Sequence, residues 1–536
     1  ESLHKNYIDS EDELTLLYRK MDTSKMFDGA EVWIDEFSSF TPQQYKILEK
    51  LMEKASRVNI TLCMDYYRVI DGTDVFAPTK RTEEKLREIL KEKDVKLDKP
   101  IILNNDDINR FKDSSELKYL EENYFKYPYK PYDKTTDDIK IIRALNPYSE
   151  VENIAKEIAK ISMESNIRYR DIAVITRDLE GYEKIVKTIF DEYEIPYFID
   201  KKKEIDDNPL IVLITSVIEI FNKSWSYEAM FRYLKTGLSN VSKEEVDLLE
   251  NYVLAYGIRG KKKWQSPWEY GNENILEKIN EIRIKVSEPL IKFSSKLKGK
   301  SKADEICSAV YNFLCSIGVN ETIEKWVYKF KNEGNQALAK EYSQIWNMVI
   351  ELLDQVVEVF KEEELQLKDF VKILSLGFKD YKMGLIPPSL DQVLVSDVER
   401  VRTHEIKLLY IIGVNDGIFP AVSKDEGILS DSDRGSLKKI GIEIAEDTKS
   451  KAFEEQYLIY RTLTTTQKYL RICYSIADYE GKALRPSIIV SRFKSLFPKI
   501  VEESDNIAMD YKEENINLIS REIPTFNNLV SVLRRE

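Results

Sequence analysis

Apolar positions in the first hundred residues alternate between short continuous runs and helical spacing. Residues 31–34 and 59–64 are apolar runs typical of buried strands, and residues 41–56 place apolar side chains at every third or fourth position. Thr41 can cap the predicted helix, and Pro42 suits its first turn. A strand, a helix and a second strand in this order predict a parallel βαβ unit.

The same alternation resumes after residue 138 and is then interrupted. From residue 208 to 385 apolar residues recur at spacings of three and four almost throughout, which is typical of packed helices. The strands predicted on either side are short apolar runs at 138–145, 171–176, 196–199, 391–395 and 408–412. The pattern therefore predicts an α/β fold whose parallel sheet is interrupted by a large all-helical insertion.

Residues 101–137 lose both periodicities and predict a connector. The segment is rich in aromatic rings, which can either stack on unpaired bases or pack at a domain junction. Junction packing is favoured because no stripe of Lys and Arg accompanies the rings. The rings belong to Tyr119, Tyr124, Phe125, Tyr127, Tyr129 and Tyr132.

Composition indicates several folded domains. The chain has 536 residues, of which 43% are hydrophobic, and only 18 glycines and 16 prolines, so each domain can bury a core. Because the net charge is −13, any contact with nucleic acid must use a local basic surface. No apolar run is long enough to cross a bilayer.

Cysteine and histidine are too sparse for several kinds of site. The four cysteines form no CxxC pair, which excludes a disulfide scaffold, disfavours a zinc ribbon and predicts a cytoplasmic location. The two histidines are His4 and His404, so a catalytic triad or a multi-histidine metal centre would rest on His404 alone.

The sharpest local signal is an acidic pair after the first predicted strand. Nucleoside triphosphatases present one carboxylate to Mg²⁺ and a second to the attacking water in this way, and Asp35 and Glu36 follow the strand at 31–34. Acidic pairs after strands are also common without catalysis. The phosphate-binding loop G-x-x-x-x-G-K-[ST] that such a site requires does not occur in the sequence.

Motifs taken in order resemble the motor domains of superfamily 1 helicases of the UvrD type. The stretch 393–420 is similar to motif V of these helicases, and 454–464 is similar to motif VI. The other blocks that carry the resemblance are the Asp35-Glu36 turn, 150–157 and 171–177. Phrases at 37–43, 384–393 and 483–487 are similar to the B subunits of AddAB-type helicase-nucleases, bacterial complexes that resect double-strand breaks for recombination.

The resemblance implies two RecA-like domains, and it implies that this chain is a central fragment. A phosphate loop would precede the chain, and a nuclease domain would follow it. The implied divisions are the C-terminal part of a first RecA-like (1A-like) domain at 1–100, a connector at 101–137, the first half of a second RecA-like (2A-like) domain at 138–207, a helical (2B-like) insertion at 208–385, the second half of the 2A-like domain at 386–500, and a lead-in to the nuclease domain at 501–536.

The resemblance also implies cofactors, partners and a role. The complex would use ATP and Mg²⁺ and hold a 4Fe-4S cluster in the nuclease domain, whereas this chain is expected to hold no cofactor. The implied partners are single-stranded DNA and an A subunit in a heterodimer. The implied role is to channel single-stranded DNA and to contribute to recognition of a recombination hotspot.

Departures from active motors predict a scaffold that holds DNA without pumping it. Thr465 stands where motif VI has the arginine that stabilises the transferring phosphate, and 401–407 lacks the His-x-x-Lys-Gly-Leu-Glu series of motif V. Asp35, Glu36 and Thr465 would then be remnants of a nucleotide cleft, and no residue is predicted to be catalytic. Two alternatives remain: an ATPase that is active in the full-length protein, and a partner-docking module that does not touch DNA.

Two groups of cations are the candidate DNA contacts. Ligands gather at strand ends in open α/β sheets, and cations beside an indole ring combine phosphate neutralisation with stacking. The alternative for each group is an ordinary solvated surface with ion pairs. The candidates are Arg143, Arg177, Arg400, Arg402 and His404 near strand ends, and Arg259, Lys261, Lys262, Lys263 and Trp264 in a basic stretch that also contains Trp268.

Overall fold

Two compact units make up the protein, one formed by residues 1–200 and 389–536 and the other by residues 201–388. A computed structural model describes residues 13–65, 74–103, 110–201, 203–205, 207–297, 299–360, 363–380, 382–383, 390–401, 405–421, 429–440, 442, 447–504 and 521–534.

The N-terminal part of the first unit packs helices on a two-stranded parallel sheet. Its elements are α1 (Glu13–Met21), β1 (Glu31–Ile34), α2 (Pro42–Lys54), β2 (Arg57–Ile60) and α3 (Ala77–Glu92). Helix α2 begins as predicted, because the Thr41 hydroxyl accepts the Gln44 N–H and the Gln44 side chain accepts the Thr41 N–H. Strand β2 ends at Ile60, so the strand predicted at 59–64 lies too far along the chain.

The part of the first unit that follows α3 and precedes residue 201 alternates helices and strands. Its elements are α4 (Ser115–Asn123), β3 (Ile139–Ala144), α5 (Pro147–Glu164), β4 (Ile172–Thr176), α6 (Leu179–Glu192) and β5 (Tyr197–Asp200).

Helices around one core form nearly all of the second unit, residues 201–388. The elements are β6 (Lys203–Glu204), α7 (Pro209–Asn222), α8 (Tyr227–Leu234), α9 (Lys243–Ala255), α10 (Lys261–Gln265), α11 (Glu273–Lys296), β7 (Lys300–Lys302), α12 (Ala303–Ser316), α13 (Val319–Asn332), α14 (Gln336–Phe360), β8 (Glu364–Gln366), α15 (Leu367–Asp380) and β9 (Lys382–Met383). The short strands, which the helical pattern did not predict, form the antiparallel pairs β6–β9 and β7–β8.

After the second unit the chain returns to the first. The elements there are β10 (Val393–Asp397), β11 (Leu408–Ile412), α16 (Asp431–Lys439), α17 (Thr448–Leu463), β12 (Tyr469–Ser475), α18 (Ile488–Leu496), β13 (Val501–Ser504) and α19 (Glu522–Leu533).

Seven parallel strands form the central sheet of the first unit, in the order β13-β3-β12-β11-β4-β10-β5. Strands from before and after the helical unit interleave, since β10 lies between β4 and β5. The predicted α/β fold with a parallel sheet is therefore confirmed. No helix in the described ranges has the length and hydropathy needed to cross a membrane.

Both faces of this sheet are buried, as parallel strands require. Ile141 and Ile411 belong to the core cluster that includes side chains of α17 and α18. The next residue on each strand, Ile142 or Ile412, belongs to the cluster that includes side chains of α5 and α6. Alternation of side chains along a strand thus gives each face its own helical layer.

Helix α4 lies inside the segment predicted to be a connector, where the loss of periodicity did not predict a helix. Ser114 caps the helix, because its hydroxyl accepts the Leu117 N–H. The Tyr124 ring packs on Phe493 with their centroids 5.5 Å apart. Other rings of the segment also pack on this core cluster, in agreement with junction packing, whereas Tyr127 is 89% exposed. Rings of Tyr119, Phe125, Tyr129 and Tyr132 pack in this way.

The fully buried carboxylate of Glu150, at the start of α5, links elements at the carboxyl edge of the sheet. One oxygen accepts the Gly413 N–H at 2.8 Å. The other accepts the Tyr182 hydroxyl at 2.8 Å and the Ser475 hydroxyl at 2.5 Å. These three donors come from residues after β11, from α6 and from the last residue of β12, so one side chain fixes four elements.

The loop after β11 is held by the same network. Asn415 accepts the Ser475 N–H and donates to the carbonyls of Ser475 and Arg485. Gly413 has φ +69°, and a Cβ at this position would lie 3.1 Å from the Tyr182 ring. A side chain at position 413 would therefore be strained and crowded against the residue that bonds Glu150.

We expect Glu150→Ala to lower the free energy of unfolding by about 3 kcal/mol or more, because three buried donors lose their acceptor. Urea denaturation of the chain measures the change. Glu164→Ala, at the exposed C-terminal end of the same helix, is the control and should stay within about 0.5 kcal/mol of the unmodified chain. Equal effects of the two substitutions would contradict the role given to Glu150.

Candidate functional site

The predicted acidic pair forms a tight turn after β1. Asp35 is exposed, and one of its carboxylate oxygens accepts the Glu36 N–H at 3.0 Å and the hydroxyl of Thr61. Glu36 has φ 64°, a left-handed conformation that costs free energy for a residue with a side chain. The carboxylate expected to face Mg²⁺ therefore holds the turn together and ties it to the residue after β2.

Aromatic rings of α17 pack against the chain at the start of α3. The Phe76 ring lies 4.9 Å from the Tyr460 ring and 6.3 Å from the Tyr457 ring, measured between centroids. We call Phe76, Tyr457 and Tyr460 the tyrosine cluster. The Tyr460 hydroxyl donates to Glu121 at 2.9 Å, and Arg81 of α3 donates to Ser450 of α17 at 2.8 Å.

Arg110 connects the acidic turn with the end of motif VI. Its guanidinium donates to the carbonyl of Thr465 at 2.6 Å and interacts electrostatically with Tyr460, Cys63 and Glu36. Burial lowers the pKa of Arg110. The structure thus brings two predicted residues, Glu36 and Thr465, near one guanidinium.

Burial raises the pKa of both tyrosines of the cluster well above the usual value of 10, and the neighbouring Cys63 reinforces the shift. The phenols therefore stay neutral and act as hydrogen-bonding and packing groups. The Thr465 hydroxyl is also used locally, since it donates to the Arg461 carbonyl at 2.8 Å.

The described residues of this region do not fit a Mg²⁺–nucleotide site. Asp35 is engaged by Thr61 and by the backbone, Glu36 lies near Tyr457 and Arg110, and Thr465 itself offers no cation. No group of three or more His, Cys, Asp or Glu side chains in the described part of the chain is arranged to hold a metal ion. The region can hold the N-terminal part of the unit against α17.

Arg177, at the end of β4, is neutralised by two carboxylates. Its guanidinium lies 2.5 Å from a Glu399 oxygen and 3.6 Å from a Glu455 oxygen. Glu455 also accepts the Ala421 N–H at 2.9 Å. Arg177 therefore joins three stretches of the chain. Its positive charge is already paired with carboxylates at the place where a bound anion would lie.

The other arginines near strand ends differ from one another. Arg400 makes two hydrogen bonds to the Asp200 carboxylate, at 2.8 and 3.3 Å. It therefore forms the surface ion pair that was the alternative to a DNA contact. Arg143 lies on β3, and its buried Nε has no hydrogen-bond partner. Arg402 and His404 lie outside the described residues.

The basic stretch is a short helix with its cations outward and its indole inward. Arg259, Lys261, Lys262 and Lys263 are exposed, whereas Trp264 is 1% exposed. The Trp264 ring contacts those of Trp225 and Trp268 in the core of the helical unit. The prediction that Trp264 stacks on DNA is therefore wrong, because its ring is buried in the hydrophobic core of the helical unit.

Sequence reasoning missed Arg110 and the tyrosine cluster. Tyr457 and Tyr460 are three residues apart within the motif VI block, and this helical spacing was the available signal. No comparable signal exists for Arg110, since its bond to Thr465 spans 355 residues.

Comparison with known proteins gives matches along most of the chain. Residues 1–121 match the family described as ADDB, N-terminal, and residues 108–476 match the UvrD-like helicase C-terminal domain family. The chain is 99% identical over 536 residues to the B subunit of the ATP-dependent helicase/deoxyribonuclease from Clostridium novyi (strain NT). It is 54% identical to the protein of the same name from Clostridium botulinum (strain Loch Maree / Type A3) and 49% identical to that from Thermoanaerobacter sp. (strain X514).

These three alignments cover 100%, 100% and 99% of this chain, but 47%, 48% and 47% of the relatives. The chain spans about half the length of the curated relatives it matches. The resemblance to UvrD-type helicases and to B subunits, predicted from ordered motifs, is confirmed.

We expect Tyr460→Phe to weaken the alkaline destabilisation of the fold. Unfolded tyrosine loses its proton near pH 10, whereas buried Tyr460 retains it, so the unfolded state binds fewer protons and the free energy of unfolding falls as pH rises above about 10. The substitution removes one such proton, so the fall should be shallower by up to about 1.4 kcal/mol per pH unit.

Urea denaturation between about pH 9 and pH 11 measures this slope. The matched control is Tyr127→Phe, because Tyr127 is 89% exposed and lies outside the buried core. A slope that changes equally in the two variants would show that Tyr460 is not held neutral by the fold.

Proposed function

We propose, starting from the fact that this chain belongs to the UvrD-like helicase C-terminal domain family, that it is the helicase-like and motor-inactive central part of a B subunit. The whole complex would be an AddAB-type helicase-exonuclease that resects double-strand breaks for recombinational repair. The match over residues 108–476, with the motifs in their expected order, is the observation that carries the proposal.

Motor inactivity is supported by the side chains found where an active nucleotide cleft requires an arginine. Thr465 replaces the motif VI arginine, and the Arg110 guanidinium beside it donates to the Thr465 carbonyl. An arginine that stabilises a phosphoryl transition state must have its donors free for the transferring oxygens. We therefore assign ATP and Mg²⁺ to the partner A subunit and the 4Fe-4S cluster to the nuclease domain.

A DNA-holding role is supported by the uneven distribution of charge. Arg177 and Arg400 at the sheet edge are paired with carboxylates, whereas Arg259 and Lys262 on the helical unit are exposed. An acidic chain binds a polyanion through such a local basic surface. Channelling of single-stranded DNA, with a contribution to hotspot recognition, is the role we infer; partner docking without DNA contact is the alternative outcome of the first test.

The first test is titration of the chain with a single-stranded oligonucleotide at increasing salt. Contact with three or more phosphates should give a plot of log K against log salt with a slope of about −2 or steeper. An oligonucleotide with an uncharged backbone is the control and should show no such slope. A slope near zero for the charged oligonucleotide would contradict DNA holding and leave the docking alternative.

The second test is ATP turnover by the full-length protein without its partner. We expect turnover no higher than that of Asp35→Asn in the same protein, because Thr465 stands where the motif VI arginine would stabilise the transferring phosphate. Addition of the A subunit and DNA should give turnover that Asp35→Asn does not change. Turnover by the isolated protein that Asp35→Asn abolishes would establish an active motor instead.

A further inference from the structure

Four aromatic rings form a continuous series from the core of the helical unit to its surface. Trp268 stacks on Tyr252 at 5.0 Å with an interplanar angle of 8°. Tyr252 contacts Tyr256 at 4.5 Å, and Tyr256 stacks on Tyr270 at 6.0 Å with an angle of 19°. Along this series the exposed fraction rises from 5% at Trp268 to 42% at Tyr256 and 68% at Tyr270.

Hydrogen bonds fix the inner rings and the backbone of the outer one. The Tyr252 hydroxyl donates to the Tyr270 carbonyl at 2.5 Å. The Asn280 side-chain amide accepts the backbone N–H of Trp268 and donates to the Trp268 carbonyl, both at 2.9 Å. The Tyr270 ring thus stacks on Tyr256, and its backbone carbonyl is hydrogen-bonded. Ordering this ring against a flat ligand therefore costs little additional entropy.

Positive charge is concentrated in the segment that carries two of the four rings, Trp268 and Tyr270. Residues 257–271 contain four cations and one carboxylate, Glu269, in a chain whose net charge is −13. Lys263 lies beside the rings, because its ammonium donates to the Gly257 carbonyl at 3.0 Å and its carbonyl accepts the Trp268 indole N–H at 2.8 Å. Arg259 and Lys262 extend the basic surface and are exposed.

We propose that this surface binds single-stranded DNA, with an unpaired base stacked on the exposed face of Tyr270 and with Arg259 and Lys262 on the phosphates. We call Tyr256, Tyr270, Arg259 and Lys261–Lys263 the Tyr270 platform. A basic groove with aromatic rings is the combination that binds single strands of any sequence, because every base has a flat face. The inference rests on the proposed function and deepens it by naming the contacting surface.

Fluorescence anisotropy with a labelled thymidine oligonucleotide tests the platform on the full 536-residue chain. Tyr270→Ala should weaken binding roughly 5- to 150-fold, and Tyr270→Phe should restore it because the flat face remains. Tyr328→Ala is the matched control, since Tyr328 is 70% exposed on α13 of the same unit, and its affinity should equal that of the unmodified chain.

Salt dependence separates the two parts of the platform. The double substitution Arg259→Ala, Lys262→Ala should make the slope of log K against log salt shallower by about 1.4, because two phosphate contacts are lost. Tyr270→Ala should leave that slope unchanged, because stacking releases no counterions. A slope unaltered by the double substitution would overturn the assignment of the phosphate contacts.

Failure of the platform is distinguishable from failure of the proposed function. If the unmodified chain binds the oligonucleotide and Tyr270→Ala binds equally well, the platform is wrong and DNA holding stands. If the unmodified chain does not bind, both are wrong. Photocross-linking of the unmodified chain to an oligonucleotide containing 5-iodouracil avoids substitution: a cross-link at Tyr270 or Tyr256 supports the platform, and cross-links confined to other residues overturn it.

Discussion

The buried carboxylate of Glu150 is the interaction on which the carboxyl edge of the sheet depends. A carboxylate removed from water is tolerated only when donors surround it, and the three donors come from different parts of the chain. The hydrogen bonds to Glu150 therefore fix the ends of β11 and β12 and the position of α6 relative to one another. Loops that carry the helicase-like motifs begin at these ends, so one buried side chain and its three hydrogen bonds fix where these loops start.

Pairing of charges distinguishes the arginines of the sheet edge from the basic stretch of the helical unit. At the sheet edge Arg177 and Arg400 have carboxylate partners, and the tyrosine cluster keeps its phenols neutral, so this region acts as packing between parts of the first unit. In the helical unit the side chains of Arg259 and Lys262 extend into solvent beside supported rings. The helicase-like sheet edge therefore has these two arginines paired, whereas exposed cations lie on the helical unit.

Features set by neighbouring residues were predictable from the sequence, whereas those set by distant contacts were not. The start of α2 was predictable because Thr41 and Pro42 act within one turn, and the buried strands were predictable because both faces of a parallel sheet require apolar runs. Trp264 was misjudged, since apolar rings beside cations occur equally in a core and in a DNA surface. The pairing of Arg177 with Glu399 spans 222 residues, and no local pattern encodes it.

The helical unit is joined to the sheet at two neighbouring strands. Residues 201–388 leave after β5 and return before β10, and the parallel register pairs Tyr197 with Val393. These strands close the insertion into a loop and fix the distance between its two ends, which lie at opposite ends of the parallel strand pair. Loop closure reduces the number of unfolded arrangements, so the insertion can open locally and refold while the strands hold both of its ends in place.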